Sequence, residues 1–275
     1  MTVRPERMPA DEVRKRMLNA GRELALESGA ALTIEHMRME EAIQRARVPR
    51  SSVYRLWPYK DNYIDDLLCY LAGPGSWFSG RPAHDPETAD LVKGVLTGNE
   101  HLLATPEGRQ ALLREMVRVS VTLNYELLSE SAQWRLHTAL IATLGSTRSD
   151  ETRRKIAAAL EAAQSVSRAA MVELFGFLAS ALGFRLRDPA RTVEHMQLAG
   201  GLLVQGMALR NVQVRTAMGD SGDVVHVDAL LNAPLPGPGL NGEPAQWSLA
   251  AFAYLGVLEA FVEPDPDFGV LAVPR

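Results

Sequence analysis

The chain has 275 residues, 47% apolar and 23% charged, which is the balance of a folded protein with a sizeable core and excludes a disordered or fibrous one. One cysteine excludes an internal disulfide, and His36, His84, His101, His137, His195 and His226 form neither His-x-x-x-His nor His-Glu-x-x-His, so no metal, cofactor or metal-dependent hydrolysis is expected. Residues 1–60 hold 12 Lys/Arg against 8 Asp/Glu, a net of +4, and the remaining residues 17 against 25, a net of −8; a basic head on an acidic body fits a protein that presents one end to a polyanion.

The first helix is expected from Ala10 to Ser28. Val13, Met17, Gly21 and Leu24 return at three- and four-residue spacing, Arg14, Lys15, Arg16 and Arg22 face solvent, and Gly29 stops it. Before it, Met1–Asp11 lacks the basic start and apolar stretch of an export signal, and no run of about 18 apolar residues is free of charge; a cytoplasmic protein away from membranes is expected. A second helix is expected from Met39 to Arg45, with Met39, Ala42, Ile43 and Ala46 on one stripe and Glu40-Glu41 in the first turn, where negative charge favours a helix start.

Pro49 has its φ preset and no N–H, and it discourages Val48 from staying helical, so a third helix is expected from Pro49 to about Leu56. Three or four residues between the two helices is helix-turn-helix spacing. Val53 and Trp57 share the packed side. Arg50, Ser51, Ser52, Tyr54 and Arg55 fall largely outside it, short residues permitting close entry into a groove and arginines able to take phosphate or a guanine edge. Pro58 ends this helix. A fourth starts near Tyr59-Lys60-Asp61, buries Ile64, Leu67, Leu68 and Leu71, and carries Cys69 as a small buried hydrophobe.

The run Arg47-Val48-Pro49-Arg50-Ser51-Ser52-Val53-Tyr54-Arg55-Leu56-Trp57-Pro58-Tyr59-Lys60-Asp61 resembles the tetracycline-repressor family, in which a Gly-Val-Ser turn leads into a small-residue recognition helix. That helix ends in Leu/Val-Tyr and an aromatic, followed by Lys-Asp/Glu opening helix four. Ala20, Leu24, Gly29 and Leu32-Thr33 resemble the family's first helix and its exit. The resemblance implies that Val48 is the buried valine of the turn, Trp57 the aromatic behind the recognition helix, and Tyr54 and Lys60 phosphate contacts. It also implies that Arg50, Ser51 and Ser52 face base edges or adjacent backbone. Arg47 stands in place of the usual turn glycine; if that position needs φ > 0, strain of order 1 kcal/mol follows. The join Ile34–Arg38 is longer than usual, and Arg38 stands where a capping Ser or Thr is common. Arg38 and Arg47 both add positive charge beside the DNA face.

Beyond Leu71, the segment from Gly73 to Pro86 is rich in Gly and Pro and reads as a hinge. Helical patterns resume at about 87–104, 106–129, 131–145, 150–183, 189–216 and 246–262. Thr105-Pro106 and Asp188-Pro189 are read as N-cap and first-turn proline pairs, and Gly183 as a terminator. No stretch alternates for long enough to build a sheet. Ile156, Leu160, Ala163, Ser167, Met171, Leu174, Leu178 and Ala181 form one long stripe. In 189–216 one face carries Val193, Met196, Gly200, Leu203 and Met207 and a second Leu198, Leu202 and Leu209, so this helix has two surfaces to pack against. Gly200, Gly201 and Gly206 each cost a helix about 1 kcal/mol, which close approach of a neighbour recovers. A short helix is expected at Val224–Leu231, a surface linker at Pro234–Gly239, and an extended acidic tail at Pro264-Asp265-Pro266-Asp267.

The expected fold is all-α: a helix-turn-helix DNA-binding domain at 1–71, then a helical-bundle regulatory and dimerisation domain with a C-terminal extension at 72–275. The resemblance implies a homodimer paired through its last two major helices, operator DNA as partner, and a small-molecule effector held in the regulatory body. Candidate pocket residues are His101, Arg118, Asn124, Tyr125, Trp134, His137, Met171 and Phe175. An all-helical enzyme and a protein-binding adaptor are the alternatives. No catalytic residue is assigned, because no Ser/His/Asp context, Asp-Asp-x-x-Asp motif or phosphate-binding glycine loop is present.

Overall fold

The computed structural model describes residues 8–27, 34, 37–73, 86–145, 147, 149–218, 230–240 and 242–268. Gly29, most of the 73–86 segment and most of the helix expected at Val224–Leu231 lie outside these residues. The main helices are α1 (Ala10–Glu27), α2 (Met39–Ala46), α3 (Arg50–Leu56), α4 (Lys60–Ala72), α5 (Pro86–Leu96), α6 (Pro106–Glu130), α7 (Ala132–Thr143), α8 (Asp150–Ala181), α9 (Val193–Met218) and α10 (Leu249–Phe261). A 3-10 helix covers Glu100–Ala104, and four short strands are β1 (Phe184–Leu186), β2 (Leu235–Pro238), β3 (Pro244–Trp247) and β4 (Val262–Pro264). The described fold is thus mostly helical, as expected, and no described helix is long and apolar enough to cross a membrane.

The chain forms two compact units, one comprising Met1–Ser79 with Ala132–Val166 and the other Gly80–Ser131 with Ser167–Arg275. The first unit is built on the expected stripes: Val13 and Met17 of α1, Met39, Ala42 and Ile43 of α2, Val53 of α3, and Ile64, Leu67 and Leu71 of α4 are all buried. Trp57 and Val48 close this core from the ends of α3 and of the preceding turn. Leu136 and Leu140 of α7 and Ile156 and Leu160 of α8 join the same cluster. A cut after residue 71 places these four in the C-terminal body, whereas packing places them with the N-terminal helices. Cys69 is half-buried at the margin of this core, and burial raises its thiol pKa.

In the second unit, α6 packs against α5, α9 and α10. It starts as expected: Thr105 accepts the Gly108 amide at 3.0 Å and Pro106 occupies the first turn. The start of α9 differs from the expectation. Asp188 accepts the Ala190 amide in a local turn at 2.9 Å, and the helix begins only at Val193. Two antiparallel ribbons replace segments read as linker, helix and free tail. β2 pairs with β3 from Leu235 opposite Trp247 to Pro238 opposite Pro244, so Gln246 and Trp247 are strand, and Ser248 caps α10 by accepting from Ala251. β1 pairs with β4, and the chain after β4 is docked: Asp265 donates its amide to Gly183 O at 2.8 Å, and Arg109 Nη2 donates to Asp265 O at 2.9 Å. Gly183 ends this turn at φ +66 with the Phe268 ring against it, so both backbone conformation and space require glycine there.

Candidate nucleic-acid interface

The surface that α2 and α3 present is set by what they bury. Three apolar contacts, Val48, Val53 and Trp57, point inward, so the short α3 turns Arg50, Ser51, Tyr54 and Arg55 to solvent. Helix α3 begins at Arg50, with Pro49 in the capping position, one residue later than expected. Ser52 departs from its expected role. It is buried beside Val53 and does not belong to the exposed face. Arg38 is exposed at the N-cap of α2 and makes no capping bond with its side chain. A cation there opposes the helix dipole, and Glu40 and Glu41 in the first turn offset it. Lys60 is exposed at the first position of α4.

Arg47 is exposed and left-handed, at φ 52 and ψ 46, the only non-glycine residue of positive φ among those described. The turn therefore does need the conformation that glycine adopts freely, and an L side chain there costs about 1–2 kcal/mol. Glycine's greater freedom when unfolded takes back about 0.5–1 kcal/mol. Arg47→Gly should therefore stabilise the protein by about 0.5–1 kcal/mol in urea unfolding, whereas Arg47→Ala, which keeps Cβ, should not. Equal midpoints for the two variants would mean that the left-handed turn carries no strain.

The face contains one group that sequence reasoning missed. Glu40 Oε1 accepts from Arg50 Nη2 at 2.8 Å and from the Tyr54 hydroxyl at 2.7 Å. The Arg50 guanidinium also lies over the Tyr54 ring, 5.4 Å from its centroid. The Tyr54 hydrogen bond, assisted by the charge of Arg50, holds the Glu40 carboxyl below the ordinary carboxylate pKa. The acidic first turn of α2 was legible as helix chemistry, but contacts ten and fourteen residues away depend on the turn between α2 and α3.

The pocket candidates do not form one set. Trp134 and His137 are buried in the first unit, where His137 Nε2 lies 3.2 Å from Gln164 Nε2 and burial lowers the imidazole pKa to about 4, leaving it neutral near pH 7. His101, Arg118, Asn124, Tyr125, Met171 and Phe175 lie in the second unit. Arg118 lines an open groove of about 400 Å³ with Thr122, Glu126, Asn232 and Trp247. Tyr125 donates to Asn232 Oδ1 at 3.0 Å, and Asn232 donates to the buried Asn211 at 2.7 Å, which ties α6 to α9 through a polar chain. Arg118 is paired with Glu115 and donates to Gln246 O, so the β2–β3 ribbon forms one wall of the groove. Phe175 packs against Tyr254, 6.3 Å between ring centroids, and His101 is exposed on the 3-10 helix. Asn124 and Met171 are half-buried and line neither this groove nor its neighbour of about 660 Å³ at Leu91, Val95 and Glu115. Among the described residues no group of three or more His, Cys, Asp or Glu stands where it could hold a metal ion.

No known protein family, curated protein or solved structure matches the chain.

Proposed function

We propose that the chain is a one-component DNA-binding transcriptional regulator of the tetracycline-repressor type. It acts as a homodimeric repressor on double-stranded operator DNA and leaves it when a small-molecule effector binds. The observation that carries this reading is the exposed cationic face at the α2–α3 turn, with Arg38, Arg47, Arg50 and Arg55 outward while Val48, Val53 and Trp57 anchor the same segment from within. In this reading α2, residues 47–49 and α3 are a helix-turn-helix whose second helix enters the major groove. The grooves of the second unit are of the size that small ligands occupy, about 300–1,000 Å³, and they support the effector part of the reading.

Tyr54 and Lys60 hold phosphates in this reading, and a phosphate contact sets register without reading a base. Tyr54→Phe and Lys60→Ala should weaken binding to every duplex alike, with Lys60→Ala flattening the dependence of log K on log salt by up to about one unit per subunit. Arg50 projects from the first turn of α3, where a fork on guanine O6 and N7 is worth roughly 1–3 kcal/mol against the wrong base. Arg50→Ala should relax sequence preference more than it reduces non-specific affinity. The test is a titration of the three variants on the duplex that the protein itself enriches from random sequence, on single-base variants of it, and on unrelated duplex, at two salt concentrations. Failure of the unmodified protein to retain any duplex would overturn the function. Equal loss for Arg50→Ala on all DNAs would make Arg50 a phosphate clamp and pass discrimination to Ser51 or Arg38.

A further inference from the structure

The face formed by α2 and α3 holds an anion of its own. Glu40 offers one carboxylate oxygen to the Arg50 guanidinium and the Tyr54 hydroxyl, at 2.8 and 2.7 Å, from the first turn of α2. A guanidinium and a phenol converging on one anionic oxygen is also the donor set that a backbone phosphate oxygen accepts from. We propose that Glu40 is a specificity-determining residue: beside Tyr54, its carboxylate stands in for phosphate on Arg50 and yields the guanidinium only to DNA that offers it a base edge as well. This inference rests on the DNA-binding reading and adds to it a group that opposes binding.

Discrimination by Glu40 is a matter of exchange. Non-specific binding draws its free energy from cations that neutralise phosphates and release counterions. A cation already neutralised by Glu40 gains little by moving to a phosphate, because one charge-assisted hydrogen bond replaces another and leaves a carboxylate facing the polyanion. A guanine edge adds a second pair of acceptors, worth on the order of ten- to a hundredfold in discrimination, and tips the exchange. The contact is also suited to release. The side chains of Glu40 and Arg50 are 46% and 67% exposed, and ion pairs so exposed add little to stability. Glu40→Gln therefore leaves the fold intact while removing the charge.

The adjacent Glu41 supplies the control, since it is exposed on the same turn. Full-length protein is titrated by fluorescence anisotropy on labelled duplex of random sequence and on the duplex it enriches from a random pool, at two salt concentrations. Glu40→Gln should bind random duplex about five- to tenfold tighter, with a salt slope steeper by about one unit per head, and the ratio of enriched to random affinity should fall. Glu41→Gln should change either affinity by less than about twofold, as should Glu40→Gln placed in an Arg50→Ala background. Equal gains from Glu40→Gln and Glu41→Gln, or a gain that survives Arg50→Ala, would reduce Glu40 to a general surface charge and overturn the proposal. An unchanged affinity and slope for Glu40→Gln, with the unmodified protein binding duplex normally, would overturn it while leaving the DNA-binding reading in place. If neither protein binds any duplex, that reading fails and Glu40 has no such role.

Discussion

Trp57→Ala should cost the first unit about 3–5 kcal/mol, the range for truncating a large buried aromatic, against a total of about 5–15 kcal/mol for an ordinary domain. Trp57 is 2% exposed and meets Tyr63 of α4 edge to face, with ring centroids 5.3 Å apart at 73°. Its indole N–H donates to Asp66 Oδ2 at 2.7 Å, and the same carboxylate receives Arg14 of α1. One side chain after a seven-residue helix thus ties α1 to α4, and α3 is too short to persist without that packing. Trp57→Phe keeps most of the buried area and loses the bond to a carboxylate that water reaches, so about 1 kcal/mol is expected instead. Hydrogen exchange of the full chain checks both variants. Trp57→Ala should deprotect amides of α1, α3 and α4 and leave those of α6 and α10 unchanged. Protection retained throughout α3 would show that Trp57 does not hold the head together.

What the sequence made legible follows the length of each signal. Helices α1 and α4 carry several turns of apolar periodicity, and the residues on those stripes are buried except Leu24, which is half-buried. Over the seven residues of α3 the same reasoning places Val53 and Trp57 correctly but not Ser52, whose small hydroxyl side chain fits the margin of the core as easily as a groove. Leu136, Leu140, Ile156 and Leu160 show the other limit: a helical stripe declares that a face is apolar and does not name what it meets. The ribbons were invisible for a related reason. Strands of three or four residues, with Pro236 and Pro238 in one and Pro244 opening its partner, offer no alternation to detect. Among the candidate site residues, exposure of Arg50, Ser51, Tyr54 and Arg55 was legible from helical phase. The Glu40 contacts were not, because they depend on the left-handed turn at Arg47 rather than on spacing within a helix.

Helix α9 carries the second large effect. Its inner face, Met196, Gly200, Val204 and Ala208, is buried, and Gly200 leaves room for the Tyr254 ring, which a Cβ would meet at 2.4 Å. Its outer face holds Leu198, Leu202 and Leu209 at 47%, 59% and 48% exposure, with Gly206 open between the last two. The outer face is the expected one, whereas the inner face is turned by one residue: Val204 and Ala208 are buried where Leu203 and Met207 were expected, and those two are half-buried. In the proposed homodimer the outer face packs on a second copy. In a two-fold interface every residue acts twice. Burying the exposed half of a leucine is worth about 1 kcal/mol, so three leucines on both protomers supply about 6 kcal/mol, roughly four decades in Kd. Replacing all three with aspartate removes that term and places like charges opposite one another, while the folded chain loses little because these side chains already meet water. Sedimentation equilibrium at micromolar concentration should therefore give twice the 30.1 kDa chain mass for the unmodified protein and the single-chain mass for Leu198→Asp/Leu202→Asp/Leu209→Asp, whose thermal unfolding should stay cooperative at a midpoint lowered by the lost association. A monomeric unmodified protein would sink the homodimer outright. A variant that stays dimeric would move the interface away from this face of α9. The monomeric variant should also lose most of its affinity for a two-half-site duplex and keep its affinity for a single half-site, because each head then binds without its neighbour to raise the local concentration.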